Sequence, residues 1–183
     1  MLTSICLLIG NFCYIKSMST ELFDIVDDED NIIGTTDKKT AHATGQLHRV
    51  SAVFVFSQAG ELYIQVHGKD GKWDHSVGGH VSKGETYAAA AAREAEEELG
   101  ITQPLEELAT SLSGPEYPEM QHLFGLYACV ADPSWKFVPN DEVKEIFPMS
   151  IPAIRQAMID EPEERFTRGF RITMTEYVRQ KGL

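Results

Sequence analysis

Three glutamates near the middle of the chain restrict its fold more than any other feature. Residues Arg93 to Gly100 read REAEEELG, which sets Glu94, Glu97 and Glu98 at i, i+3 and i+4. On a helix that spacing puts the three carboxylates on one face. The neighbouring residues demand a helix: Thr86 can serve as N-cap, Ala88 to Ala92 are five strong helix formers, and Gly100 is a stop signal. Like charges so spaced oppose the helix by roughly 0.2–0.5 kcal/mol per pair. They also lie in its last turns, where the dipole disfavours anions. Two unfavourable effects on one face call for a partner, and a hard divalent cation with oxygen ligands is the simplest. A solvated acidic face, partly neutralised by Arg93 pairing with Glu97, is the plainer reading, and the helix taken alone favours it.

The preceding loop changes that weighing. Gly78-Gly79 follows a strand-like stretch and Gly84-Glu85 opens the helix, so a glycine-bounded loop stands directly before the carboxylates. Glycine lets backbone approach a ligand closely, and a free carbonyl there can add an oxygen ligand.

Around this centre, strand and helix patterns alternate. Leu22 to Val26, Ile32 to Thr35, Val50 to Phe56, Leu62 to Gln65, Trp73 to Val77, Leu123 to Val130 and Val143 to Met149 read as strands. Ile151, Ile154 and Met158 share one helical face, as do Phe170, Met174 and Tyr177. No glycine- or proline-rich linker interrupts the pattern. The expectation is one α/β domain with a mixed sheet between helices. Domain-like sequence starts at Met18, so residues 1–17 are expected to be a disordered extension and 18–183 the domain. The apolar run Leu2 to Ile15 is too short to span a bilayer and lacks the basic start of a signal peptide.

A net charge of -12 excludes a general nucleic-acid binder, which needs a basic footprint. It still permits phosphate ligands if a cation sits between the negative parties. Cys6, Cys13 and Cys129 are odd in number and irregularly spaced, which fits a reducing compartment, so the expected location is cytoplasmic.

From Gly79 to Ile101 the chain reads GHVSKGETYAAAAAREAEEELGI. This resembles the Nudix box, with Gly79, Glu85, Arg93, Glu94, Glu97, Glu98 and Gly100 filling its fixed positions; Ala95 stands where a larger aliphatic residue is usual. The resemblance implies an α/β/α sandwich with a central mixed sheet and a hydrolase using Mg2+ or Mn2+ on a small-molecule diphosphate. It implies metal ligation by Glu97, Glu98 and the Gly78 carbonyl. Glu94 would bind metal or help activate water, and Glu85 and Arg93 would support the motif. A further acid from outside the box is expected: Glu142 first, Glu145 second, although Asp141 to Glu145 reads equally as a solvated turn.

Glu21 to Phe56 is similar to the opening of isopentenyl-diphosphate isomerase and its hydrolase-like relatives. His42, His48 and His80 stand where that isomerase has metal-binding histidines, with Glu119 near one of its acidic positions. The plainer reading is that His42 and His48 organise a helix and a strand start and that His80 orients the glycine-bounded loop. The isomerase has a cysteine before its Gly-His pair, and this chain has Gly78 there. That loss and the intact REAEEELG favour a hydrolase of nucleoside-diphosphate-linked or other organic diphosphates. An isomerase-like enzyme and a catalytically silent diphosphate-binding module are the alternatives. Relatives in this branch follow the hairpin with a basic segment that contacts diphosphate, where this chain reads Gln65-Val66-His67-Gly68. Arg93, Lys69 and Lys72 are therefore the candidate substrate-binding residues, with Arg168 and Arg171 as substitutes. No membrane or nucleic-acid partner is expected, and a homodimer is left open.

Overall fold

In the computed structural model the described residues are 7–9, 12–14, 21–67, 70–114, 120–140, 143, 145–161 and 165–183, with backbone alone for the first two segments. In chain order the strands and helices are β1 (Leu7–Ile9), β2 (Phe12–Tyr14), β3 (Leu22–Val26), β4 (Ile32–Asp37), α1 (Lys38–Thr44), β5 (His48–Phe56), β6 (Leu62–Val66), β7 (Trp73–Asp74), β8 (Val77–His80), α2 (Tyr87–Leu99), β9 (Glu106–Leu112), β10 (His122–Val130), β11 (Ile146–Met149), α3 (Ile151–Asp160) and α4 (Arg168–Lys181).

Strand β5 organises the molecule. Along one edge it pairs in parallel with β10 over its whole length, from His48↔His122 to Phe56↔Val130. Its other pairings follow one another along the strand: β3 at His48, β8 from Val50 to Val53, and β6 at Phe56. The nine-stranded sheet is mixed and is covered on both faces. Alternation along β5 sorts the core into two layers. Val53 and Val55 pack with Ala90, Ala91, Ala95 and Leu99 of α2. Ala52 and Phe54 pack with Ile154 of α3 and with Phe170 and Met174 of α4. The small side chains of Ala90, Ala91 and Ala95, all fully buried, bring α2 close to the sheet. This is the expected α/β/α sandwich.

Helix α2 starts and stops where its capping residues require. The Thr86 side chain accepts from Ala89 N, and Gly100 takes the left-handed conformation at φ 65°. Elsewhere the boundaries differ from the sequence reading. The stretch Trp73 to Val77 is two strands, because the chain leaves β6 after Asp74 and joins β5 at Val77. Gly78 and Gly79 therefore lie inside β8 rather than after it. The final strand starts at Ile146, not Val143. Helix α1 and edge strand β9 were not anticipated: α1 is seven residues long and buries only Ala41, and β9 buries none of its residues fully. Neither carries the apolar period that a sequence reveals.

Strands β1 and β2 pair only with each other, apart from the main sheet. A lone two-stranded pair is marginal in water. Starting the chain at Met18 is therefore expected to shift the melting temperature by less than about 2 °C, under ~1 kcal/mol for a domain of this size. A larger drop in a thermal scan would mean that residues 1–17 belong to the core. Among the described residues, no helix is long and apolar enough to cross a membrane.

Candidate functional site

Strand β8 separates two chemically distinct groups of side chains. Its alternation turns Val77 and Gly79 toward α2 and Gly78 and His80 toward the opposite face.

On the α2 side, Gly79 makes room for Glu94. A Cβ at Gly79 would lie 2.0 Å from Glu94 Oε1, so no other residue fits there without moving that carboxylate. Arg93 fixes the surrounding loop. Its Nε and Nη2 donate to the two Glu85 oxygens at 3.0 and 3.1 Å, and Nη1 donates to Glu94 at 2.8 Å and Glu97 at 3.3 Å. Nη2 also donates to the His80 carbonyl at 3.2 Å, which ties the helix to β8. Donating to the Glu85 carboxylate raises the Arg93 pKa further above its ordinary value, so the guanidinium is a permanent cation. Glu85 closes the loop by accepting from Ser82 N at 2.9 Å, and Asp24 accepts from Gly84 N at 2.7 Å. Glu98 is 8% exposed, Glu94 half-buried and Glu97 exposed. The carboxylates thus range from core to solvent, a fit for a hard cation bound at a helix flank.

On the opposite face four histidines converge. His48 and His122 are direct neighbours across the β5–β10 pairing, and His80 pairs with Val50, two residues along β5 on the same face. His42 comes from α1, which Asp37 caps by accepting from Thr40 N. One ring nitrogen from each lies within 4.8 Å of all the others, and His42 Nε2 is 3.2 Å from His80 Nε2. Phe23 stacks on His80 at 4.7 Å and on His48 at 5.5 Å, which holds both rings. His48 Nδ1 donates to the Gln46 carbonyl at 2.8 Å, which leaves Nε2 with its lone pair. His48 Nε2 and His122 Nε2 are buried and have no hydrogen-bond partner among the described residues. Burial pushes His80 down to about 2 and His122 to about 3, and lowers His48, so all three rings are neutral at pH 7. Neutral, buried imidazoles with uncompensated lone pairs fit a divalent transition ion. His122 was not recognised from sequence, since its place opposite His48 depends on strand register.

Gly78, Gly79, His80, His122, Met120 and Phe124 contribute to one cavity of about 530 Å³. Lys72 lines it as well. Lys69, Glu119, Asp141 and Glu142 lie outside the described residues. Glu145 is exposed just before β11, where its carbonyl accepts from Val66 N. The cavity also reaches Asp74, His75, Arg168 and Arg171. The Asp74-His75 pair gave no sequence signal, because its partners are about a hundred residues away.

Residues 46–170 match the family model described as the NUDIX domain. The chain is 37% identical over 117 residues to an isopentenyl-diphosphate Delta-isomerase of Streptomyces griseus, covering 56% of this chain and 59% of that protein. It is 37% identical over 110 residues to a Streptomyces coelicolor protein named as an uncharacterized Nudix hydrolase, covering 56% of this chain and 55% of that one. The chain therefore spans less than two thirds of the length of either relative. A crystal structure of a Deinococcus radiodurans protein superposes with a TM-score of 0.68 at 24% identity, covering 87% of this chain and 98% of that one. At that identity the likeness establishes the fold alone.

Proposed function

This chain belongs to the Nudix family, and on that premise we propose that it is a divalent-metal-dependent hydrolase that cuts the diphosphate bond of a small organic diphosphate. The observation that carries this reading is the packing of Glu94 against Gly79 beside the Arg93–Glu85 pair, with Glu98 buried on the same helix face. That packing holds carboxylates in place at the strand bordering the cavity.

Glu97, Glu98 and the Gly78 carbonyl would hold magnesium or manganese, with Glu94 beside them. When bound, the ion lowers the pKa of the attacking water and offsets charge on the phosphates. Arg93 aims Glu94 through their 2.8 Å contact, so that Glu94 can accept a proton from the water. The four histidines would hold a second, softer ion. Hydrolysis is expected to require added magnesium or manganese and to stop on chelation. Full phosphate release from chelator-treated, metal-free protein, checked by elemental analysis, would overturn the metal assignment.

The four histidines and the identity to isomerases favour a second reading, carbon-proton isomerisation. That chemistry needs an acid and a base facing each other across the substrate. The position expected to carry the cysteine is Gly78, on the cavity wall, and a Cβ there would be 3.8 Å from His75 Nδ1. There is space for a side chain but no thiol. A solvent-exchange assay with isopentenyl diphosphate in deuterated water separates the readings, and the hydrolase reading expects no incorporation at carbon.

A further inference from the structure

The loop that carries Glu85 is held from outside the region that matches the NUDIX domain. That region starts at residue 46, whereas β3 spans Leu22–Val26. Three successive residues of β3 meet three successive residues of the loop. The Leu22 carbonyl accepts from Lys83 N at 2.7 Å, Phe23 pairs with Ser82 as an antiparallel bridge, and Asp24 Oδ2 accepts from Gly84 N at 2.7 Å. Alternation along β3 separates their side chains. Phe23 and Ile25 pack with Ala41 of α1, and Asp24 points the other way, to the loop.

A carboxylate is a costly choice for this place. Asp24 is 7% exposed, and its oxygens accept from two neutral donors, Gly84 N and, at 3.3 Å, Thr35 Oγ1. Burying a carboxylate carries a desolvation cost that an asparagine would avoid while offering the same acceptor. What the carboxylate adds is strength, since a hydrogen bond to it is roughly twice as strong as one to a neutral oxygen. That bond falls on the softest point of the loop, Gly84, whose φ of 73° lies in the left-handed region. The next residue is Glu85, which accepts from Ser82 N and binds Arg93 through both oxygens. Arg93 in turn holds Glu94 at 2.8 Å. One peptide link and a run of hydrogen bonds thus join Asp24 to a glutamate of the helix face.

We infer that Asp24 is a positioning residue for the glutamate site: by pinning the Gly84 turn it sets Glu85 and Arg93, and through them the geometry in which Glu94 and its neighbours receive a divalent cation. The inference rests on the hydrolase reading. Asp24 touches neither ion nor substrate, so its effect is on the affinity of the site for metal.

Mn2+ binding to the whole chain, followed by electron paramagnetic resonance, tests it; only the ion that the wild-type protein binds and Glu98→Gln does not is counted. Asp24→Ala is expected to weaken that binding by about tenfold or more, the cost of removing a group that orients metal ligands. Asp24→Asn keeps an acceptor for Gly84 N and should recover the affinity to within about threefold of wild type. Thr35→Val removes the other contact of the same carboxylate and should also stay within about threefold. Ile25→Ala leaves a gap in the same strand on the side away from the loop. It should lower the melting temperature at least as much as Asp24→Ala and leave Mn2+ affinity unchanged. Unchanged affinity in Asp24→Ala, or an equal loss in Ile25→Ala, overturns the inference and leaves the hydrolase reading standing. If Asp24→Ala does not fold, Gly84→Ala decides. Nothing lies within 4 Å of its Cβ, but the left-handed φ strains it, so the turn shifts with Asp24 intact. Mn2+ binding should weaken there too, and undiminished binding overturns the inference. If the wild-type protein binds no Mn2+ that depends on Glu98, the hydrolase reading falls and this assignment falls with it.

Discussion

Glu98→Gln is expected to cut the rate of hydrolysis by more than about 100-fold while the protein folds as before. Losing groups that merely orient metal ligands costs 10–100-fold, so losing a ligand charge should cost more. Glu98 is buried on the face it shares with Glu94, and the amide matches the carboxylate in shape. Metal-free stability should hold or rise by about 0.5 kcal/mol, since one like-charge repulsion disappears. The backbone contact at this position survives, because Asn140 Nδ2 donates to the Glu98 carbonyl and not to its side chain. Glu96→Gln is the internal control: Glu96 is exposed, in the unconstrained slot of the motif. Equal losses in the two variants, with unchanged circular dichroism, would mean that the helix acts only as an acidic surface.

Gly79→Ala should separate activity from stability even more sharply. The added Cβ would lie 2.0 Å from Glu94 Oε1 and 2.4 Å from its Cγ, so the glutamate must turn away and lose its 2.8 Å contact with Arg93. The obstruction is a flexible side chain, not backbone, and Gly79 has no positive φ. The stability cost is therefore about 1–2 kcal/mol, within the range for a single added methyl group. Activity is expected to fall by about 10–100-fold, as for a lost ligand-orienting group. Gly78→Ala is the comparison, since its Cβ would make only ordinary contacts. A Gly79→Ala enzyme with near-normal kcat would mean that the Glu94 position does not matter to the reaction.

The helix carrying the glutamates was legible because its caps, spacing and composition are local. Thr86 and Gly100 do in the structure what their side chains suggest. The sandwich was legible because Val53 and Val55 alternate with Ala52 and Phe54 strongly enough to mark a strand buried on both faces. What stayed hidden depends on register. His122 becomes a fourth member of the histidine group only because β10 pairs with β5 so that His122 meets His48. The Asp74-His75 clamp is two ordinary polar residues until Thr167 and Thr173 arrive beside them. Lys72 and the two arginines were each indistinguishable from plain surface in sequence, and only the cavity groups them.

That same clamp sets an order of events during synthesis. Strand β7 and its contacts on α4 are separated by more than ninety residues, so everything from β8 through α3 must leave the ribosome before they can close. Non-local contacts of this kind form late. A nascent chain that has made β3 to β10 still lacks the α3–α4 layer of the core and one wall of the cavity. A closed cavity would therefore be the last feature the growing protein acquires.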